Sequence, residues 1–461
     1  MTKILFESFD AVSTKEWKQK IQFDLKGVDY NEALIYKSFE GIDIKPFYNQ
    51  EDLSETKNQI THPSSWKNAQ KIEVNEAAVI ANKKALKAIK EGAESIYFVI
   101  LNENCIPEEL LKDISEEITI YIETLFLSSK FARELDKIAA TFTGDIFLLV
   151  DSIGNLSRTG NWFDTLADDH RNLISILKET QNLKSIISVD ISLLQNAGAT
   201  MIQQLAYGLA HANEYLNILN TNKMDSFSEA FIVFKVAIGS NYFFEIAKLR
   251  ALRMLWTSLS SEFDLLKKCH ILAHPSHRNK TILDYNVNML RTTTECMSAI
   301  LGGADTIYNL RYDDIYNLEN DFGNRIALNQ LLILKNESYF DIVTNPASGS
   351  YYIESLTRQL SEKALELFKN IEQGGGYLTQ LKEGTIQRKI KDSAKKEQDL
   401  FDNEHIILTG ANKFKNPSED IPNLEKIPFS KKNVIKTLLN PIVQRRLCEK
   451  IDKKTAANAN N

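Results

Sequence analysis

Histidine is scarce in this chain, and three of its seven copies cluster at His270, His274 and His277, beside Cys269. On a helix, His270 and His274 would share one face at the spacing a zinc site uses. The run Lys268–Ala273 reads as a strand, however. There i and i+4 side chains point the same way but stand roughly 13 Å apart, at about 3.3 Å of rise per residue. Metal binding, a polar role at the strand's end and a plain structural role all remain open for these three. Asp190 lies near the end of a second strand-like run, Ile186–Ile191, where a lone carboxylate is a candidate general base or the cap of the following turn. Gly374-Gly375-Gly376 would cradle a phosphate only with a helix carrying Lys and Ser or Thr directly behind it. The triplet instead follows a helical pattern and reads as a left-handed helix stop. Gly302-Gly303 reads the same way, immediately ahead of a strand.

Candidate residues need elements to hold them, and composition allows a sizeable core. The chain has 461 residues, 43% hydrophobic and 25% charged, with a formal charge of −6. Without a basic stripe, nucleic acid is not an expected partner. The start, Met1 through Phe6, runs into Glu7 and Asp10 and does not read as a signal peptide, and no apolar run is long enough to span a membrane. Cys105, Cys269, Cys296 and Cys448 form no C-x-x-C pair and read as reduced packing residues. A cytoplasmic protein with no membrane contact is expected.

Eight short apolar runs, mostly β-branched or aromatic, alternate with helical patterns: Ile72–Val74, Ser95–Leu101, Ile118–Thr124, Asp145–Asp151, Ile186–Ile191, Phe231–Ala237, Lys268–Ala273 and Asp305–Asn309. Such runs suit fully buried parallel strands. Between them, helices are predicted at about 196–219, 241–259 and 285–301 from apolar residues spaced by three and four. Eight strands each followed by a helix predict a (β/α)₈ TIM barrel with right-handed crossovers over 66–345. Residues 1–65 read as an irregular, aromatic-rich N-terminal arm. Helices at 353–372 and 378–402 form a C-terminal extension over 346–402. Residues 403–461 read as a linker, a helix at 433–448 and a frayed tail from Lys453. Tyr97-Phe98-Val99-Ile100, Ile120-Tyr121-Ile122 and Phe231-Ile232-Val233-Phe234 carry bulky residues at both alternations. Whichever face points inward, side chains should fill the barrel's centre.

Several segments, in order, resemble the methylmalonyl-CoA mutase family. Arg291-Thr292-Thr293-Thr294-Glu295 with Gly302-Gly303 resembles the family's R-T-x-x-E helix and G-G turn. Asn324-Arg325-Ile326-Ala327-Leu328-Asn329 resembles R-I-A-R-N, and Asn345-Pro346 through Thr357 resembles D-P-W-G-G-S-Y-Y-V-E-x-L-T. Ala197-Gly198-Ala199 with Gln204-Leu205-Ala206, Phe244 through Ala251 with Leu255-Trp256, and Glu40-Gly41-Ile42 with Lys45-Pro46-Phe47-Tyr48 extend the likeness over about 39–415. The resemblance implies an acyl-CoA mutase barrel whose enzyme interconverts methylmalonyl-CoA and succinyl-CoA with adenosylcobalamin.

The departures bear on function. Catalytic members read G-Y-H-M-Q-E-A-G-A. Aligned on Ala197-Gly198-Ala199, the catalytic histidine falls on Leu193 and the following glutamate on Asn196. Leucine neither donates nor accepts a proton. H-C-Q-T-S-G becomes His274-Pro275-Ser276-His277-Arg278-Asn279, and S-L-H-T-N becomes Thr306-Ile307-Tyr308-Asn309-Leu310. The family's tyrosine-bearing P-F-T-R-G-P-Y segment has no counterpart among Gln59–Gln70. Asp168-Asp169-His170 resembles the start of the cobalamin motif D-x-H-x-x-G but lacks its glycine and its leading strand, and the C-terminal cobalamin domain of catalytic members has no counterpart. The resemblance is thus to small, cobalamin-domain-lacking subunits. It implies no catalytic, cofactor-binding or metal residues on this chain, with adenosylcobalamin held by a large subunit in a heterodimer and acyl-CoA met through that partner. An active barrel served by a separate cobalamin-binding chain, or a CoA-binding module without chemistry, stays open as an alternative.

Overall fold

In the computed structural model, which describes residues 12–53, 62–75, 77–224, 227, 230–417, 422–427 and 436–459, eight parallel strands close on themselves. They are β1 (Lys67–Val74), β2 (Ser95–Ile100), β3 (Thr119–Thr124), β4 (Ile146–Val150), β5 (Ser185–Asp190), β6 (Phe231–Ile238), β7 (Lys268–Pro275) and β8 (Thr306–Tyr308). β8 closes the ring by pairing with β7 on one side and with β1 on the other, Thr306 opposite Lys67. The TIM barrel expected from the alternating pattern is therefore present, and each predicted run lies on one of its strands. β1 is longer than Ile72–Val74 because its first half, Lys-Asn-Ala-Gln-Lys, is polar and is held in the sheet by its neighbours.

Period two divides each strand. Ile96, Phe98, Ile100, Ile120, Ile122, Ile146 and Leu148 face outward into the main core under the helices, whereas Tyr97, Tyr121, Phe147 and Leu149 form a separate cluster inside the ring. Helices Met201–Thr221 and Tyr242–Phe263 cover β5 and β6 and carry helix Tyr351–Gln373 as an outer layer. Thr200 and Gln203 cap the first of these reciprocally. β2 departs from the rule of one helix per strand: only Pro107–Leu110 follows it.

Four expectations are corrected. The arm is not irregular throughout, since it holds a capped helix at Thr14–Asp24 and a small hairpin, Tyr36–Lys37 with Asp43–Ile44. Weak apolar periodicity hid that helix, which buries no residue. Residues 1–11 and 54–61 of the arm lie outside the described residues, as do 59–61 of the Gln59–Gln70 stretch. The predicted helix at 433–448 is absent where described. Pro441 cannot donate a helical bond, and 438–447 instead send N–H groups to carbonyls at the ends of two helices and in the β7 loop: Leu438 to Gly160, Ile442 to Ser157, Arg445 to Asn196 and Leu447 to Arg278. Helix Glu449–Ala459 follows where a frayed tail was expected, anchored by buried Asp452, which accepts from Thr281 at 2.8 Å and pairs with Arg446. Helix 378–402 is also divided, at Gly384 (φ +74°), into Gly376–Lys382 and Thr385–Asp402.

Candidate functional site

TIM barrels place chemistry at the C-terminal ends of their strands, so the lumen and its mouth are the region of interest. Aromatic rings from five strands meet across the lumen. Tyr121 of β3 stacks on Phe147 of β4 at 4.8 Å, and His270 of β7 lies 4.7 Å from the same Phe147 ring. One level higher, His274 of β7 stacks on Tyr308 of β8 at 4.7 Å, with Tyr97 of β2 5.1 Å from Tyr308. Ring centroids at these distances are in contact, so the axis is occupied. The Tyr121 hydroxyl bonds with His270 Nε2 (2.8 Å) and Thr306 Oγ1 (2.7 Å), which satisfies the buried polar atoms of the lower layer.

Above the rings sits a charge cluster. Lys235 Nζ of β6 lies 2.9 Å from Glu123 Oε2 of β3 and 2.9 Å from Asp190 Oδ2 of β5. Arg158, on helix Ser152–Thr159 behind β4, approaches the same two carboxylates at 3.5 and 4.0 Å. Tyr97 donates its hydroxyl to Glu123. Burial alone would raise the Glu123 carboxyl, but Lys235 and Arg158 outweigh it and hold the group far below its usual range. Burial works against the Lys235 ammonium, yet Asp190 and Glu123 keep it firmly protonated. Around the rim, Lys71 pairs with Glu73, Arg311 with Asp313 and Asp314, and Lys426 approaches Asp314. Each of these five basic side chains thus has a carboxylate of the same chain. These five cations over the lumen are neutralised from within.

The three clustered histidines do not converge on a common point. His270 belongs to the lower lumen, below the rim where the strand-end reading put it. His274 donates through Nδ1 to the Pro275 carbonyl (2.9 Å), leaving Nε2 buried without a partner, and burial pushes its pKa well below the imidazole value. His277 Nε2 bonds Asp314 at 2.8 Å. Asp190 takes the capping role read from the sequence, accepting from Ser192 N at 3.0 Å in the next turn, and is also an ion partner of Lys235. Leu193 is buried in the short helix Ser192–Ala197, and Asn196 Oδ1 accepts from Ser276 Oγ (2.8 Å) and His277 N (2.9 Å). Position 196 therefore ties the β5 and β7 loops together. His170 lies on helix Leu166–Glu179 on the outside of the barrel, 6.0 Å from Trp162. Gly303 and Gly375 adopt φ of +87° and +94° at helix ends, as the stop reading requires. The four cysteines are free thiols, and burial lifts Cys269 and Cys448 to about 12.

Glu123, Lys235 and Arg158 were not singled out from the sequence. Their signal was present: Glu123 and Lys235 are lone charges near the C-terminal ends of otherwise apolar runs, Ile-Tyr-Ile-Glu and Val-Phe-Lys-Val. Lone charges so placed need partners on other strands.

Comparison with known proteins agrees with this geometry. Residues 134–458 match the family described as methylmalonyl-CoA mutase. The methylmalonyl-CoA mutase small subunit of Porphyromonas gingivalis is 34% identical over 458 residues, covering 90% of this chain and 72% of that one. The methylmalonyl-CoA mutase of Rhizobium meliloti is 36% identical over 249 residues, 52% of this chain and 35% of its own length. The methylmalonyl-CoA mutase large subunit of P. gingivalis is 34% identical over 250 residues, again 52% of this chain and 35% of that one.

Proposed function

This chain belongs to the methylmalonyl-CoA mutase family, and from that premise we propose that it is a small, non-catalytic subunit that pairs with a larger catalytic chain in the cytoplasm. The observation that carries the reading is the filled lumen. The resemblance implies that a catalytic member of the family keeps a path along the barrel axis for the long, thin pantetheine arm, and here Tyr97, Tyr121, Phe147 and Tyr308 fill the lumen. Leu193 and Asn196 at the positions of the family's histidine and glutamate support the same conclusion, because neither can serve as an acid or base at neutral pH. The partner would carry out the interconversion of methylmalonyl-CoA and succinyl-CoA and would hold the adenosylcobalamin, which supplies the radical chemistry when bound.

The residues described in this chain do not fit a corrinoid. His170, the only histidine in a D-x-H setting, lies on a helix outside the barrel, and Lys235, Glu123, Asp190 and Arg158 above the lumen are paired among themselves. The pairing is supported by the arm. Helix Thr14–Asp24 buries nothing and leaves Trp17 and Phe23 exposed at 50% and 78%. An 11-residue helix is marginal alone in water, so a covering surface is required, and a large subunit provides one. No helix among the described residues is long and apolar enough to cross a membrane.

Co-expression with a large subunit tests the reading. The expected result is a 1:1 complex whose mutase activity survives substitution of this chain's Lys235, while the isolated chain is inactive and shows no corrinoid absorption. Stoichiometric corrinoid on the isolated chain, or mutase activity without a partner, would overturn it.

A further inference from the structure

A cavity of about 80 Å³ opens on the C-terminal face where residues 444–446 cross the ends of β5 and β7. Asn196, His277, Arg278, Gln444, Arg445 and Arg446 line it, and Glu449 forms one wall. Most of its charges are already matched. Arg278 is paired with Glu397 at 2.6 Å and donates to the Arg445 carbonyl at 2.7 Å. Arg446 is held by Asp452 and by the Lys280 carbonyl at 2.9 Å. Glu449 takes Lys453 at 2.8 Å, and His277 takes Asp314 at 2.8 Å.

Arg445 is different. Its backbone N–H is fixed to the Asn196 carbonyl at 3.0 Å, which pins the residue at the cavity, while its side chain is exposed with no ionic partner among the described residues. Asn196 is 4% exposed and commits its Oδ1 to Ser276 and His277, which leaves its Nδ2 donor for the cavity. The cavity therefore offers an unpaired guanidinium and a buried amide donor. A carboxylate at position 196 would oppose an anion there; the neutral amide does not. A guanidinium and an amide N–H donor lining one cavity can together recognise planar or tetrahedral oxyanions.

We propose that this cavity is a binding site for a small oxyanion, a phosphate or carboxylate group, held by Arg445 and Asn196 Nδ2. The proposal goes beyond the pairing with a larger chain and does not depend on it, so the isolated protein suffices for the test. Inorganic phosphate and succinate are titrated separately, by calorimetry and thermal unfolding, against chloride at matched ionic strength. Saturable binding of either is the expected result, and the stronger of the two identifies the source class. Arg445→Gln, on an exposed side chain, should weaken that binding at least tenfold. Asn196→Asp, which keeps the acceptor for Ser276 and His277 but adds a like charge, should weaken it similarly. No saturable response beyond chloride, or equal binding by the parent and Arg445→Gln, overturns the site.

Discussion

Replacing Lys235 with methionine removes the cation that two buried carboxylates share. In the parent protein Nζ stands 2.9 Å from Glu123 Oε2 and 2.9 Å from Asp190 Oδ2, with all three side chains less than 15% exposed. Arg158 remains at 3.5 and 4.0 Å and is itself partly exposed, so it compensates only in part. Removing one partner of a buried pair costs about 3–5 kcal/mol, because the remaining charge is left desolvated. With a urea dependence of roughly 3 kcal/mol/M, the unfolding midpoint should fall by about 1–1.7 M. A second variant isolates the cause. Lys235→Met combined with Glu123→Gln removes charge from both sides and should recover most of the loss. The pH dependence should also invert. In the parent, Glu123 is held below its unfolded value, so its contribution is present above the unfolded carboxylate pKa and is lost as pH falls through the folded one. In Lys235→Met the stranded carboxyl is raised instead, so stability should rise as pH falls from 7 toward 5. A midpoint change under about 0.3 M at pH 7, or a double variant no more stable than the single one, would refute the reading of Lys235 as the cation that neutralises two buried carboxylates.

The arm prediction is set by where the structure ties the arm down. Ile42 is 1% exposed in the main core, and Glu40 accepts from Met201 N (2.9 Å) and Ile202 N (3.2 Å) at the start of helix Met201–Thr221. Deleting residues 1–28 therefore spares the anchor, and the barrel's unfolding midpoint should not change. Loss of Trp17 and Phe23, each able to contribute roughly 1.5–3 kcal/mol at full burial, should weaken association with a large subunit at least tenfold by sedimentation; equal affinity would remove the arm as a clasp. Glu40 supplies a pH test. Burial raises its carboxyl from 4.5 to about 7 despite the two N–H bonds. The folded protein then holds a proton that the unfolded chain has released, so stability should decline as pH rises between these values. Glu40→Gln should flatten that decline in urea titrations across pH 4.5–7.5, and an unchanged slope would assign it elsewhere.

The barrel was legible because its signals are local. β-branched and aromatic runs such as Ile-Phe-Leu-Leu-Val cannot be exposed, and helical patterns between them leave few ways to bury both faces of a strand. The mutase likeness was equally plain, and what it implies for Leu193 and Asn196 could be read at the same stage, since a leucine side chain has no proton to give or take. The sequence also required a filled lumen whichever face turned inward, because both alternations of β2, β3 and β6 carry bulk.

Which residues fill it, and what they meet, depended on tertiary structure. Glu123 and Lys235 are 112 residues apart, and only closure of the ring sets β3 opposite β6 and brings their charges together with Asp190 of β5. The C-terminal segment illustrates the same limit from the other side. Residues 433–448 have helical composition, yet carbonyls of Gly160, Ser157, Asn196 and Arg278, mostly at helix ends, offer its N–H groups partners that a helix interrupted by Pro441 could not supply. Propensity is worth tenths of a kcal/mol per residue, whereas a buried N–H or carboxylate without a partner costs several times more. The chain therefore follows the partners, and those are assigned only once distant elements have met.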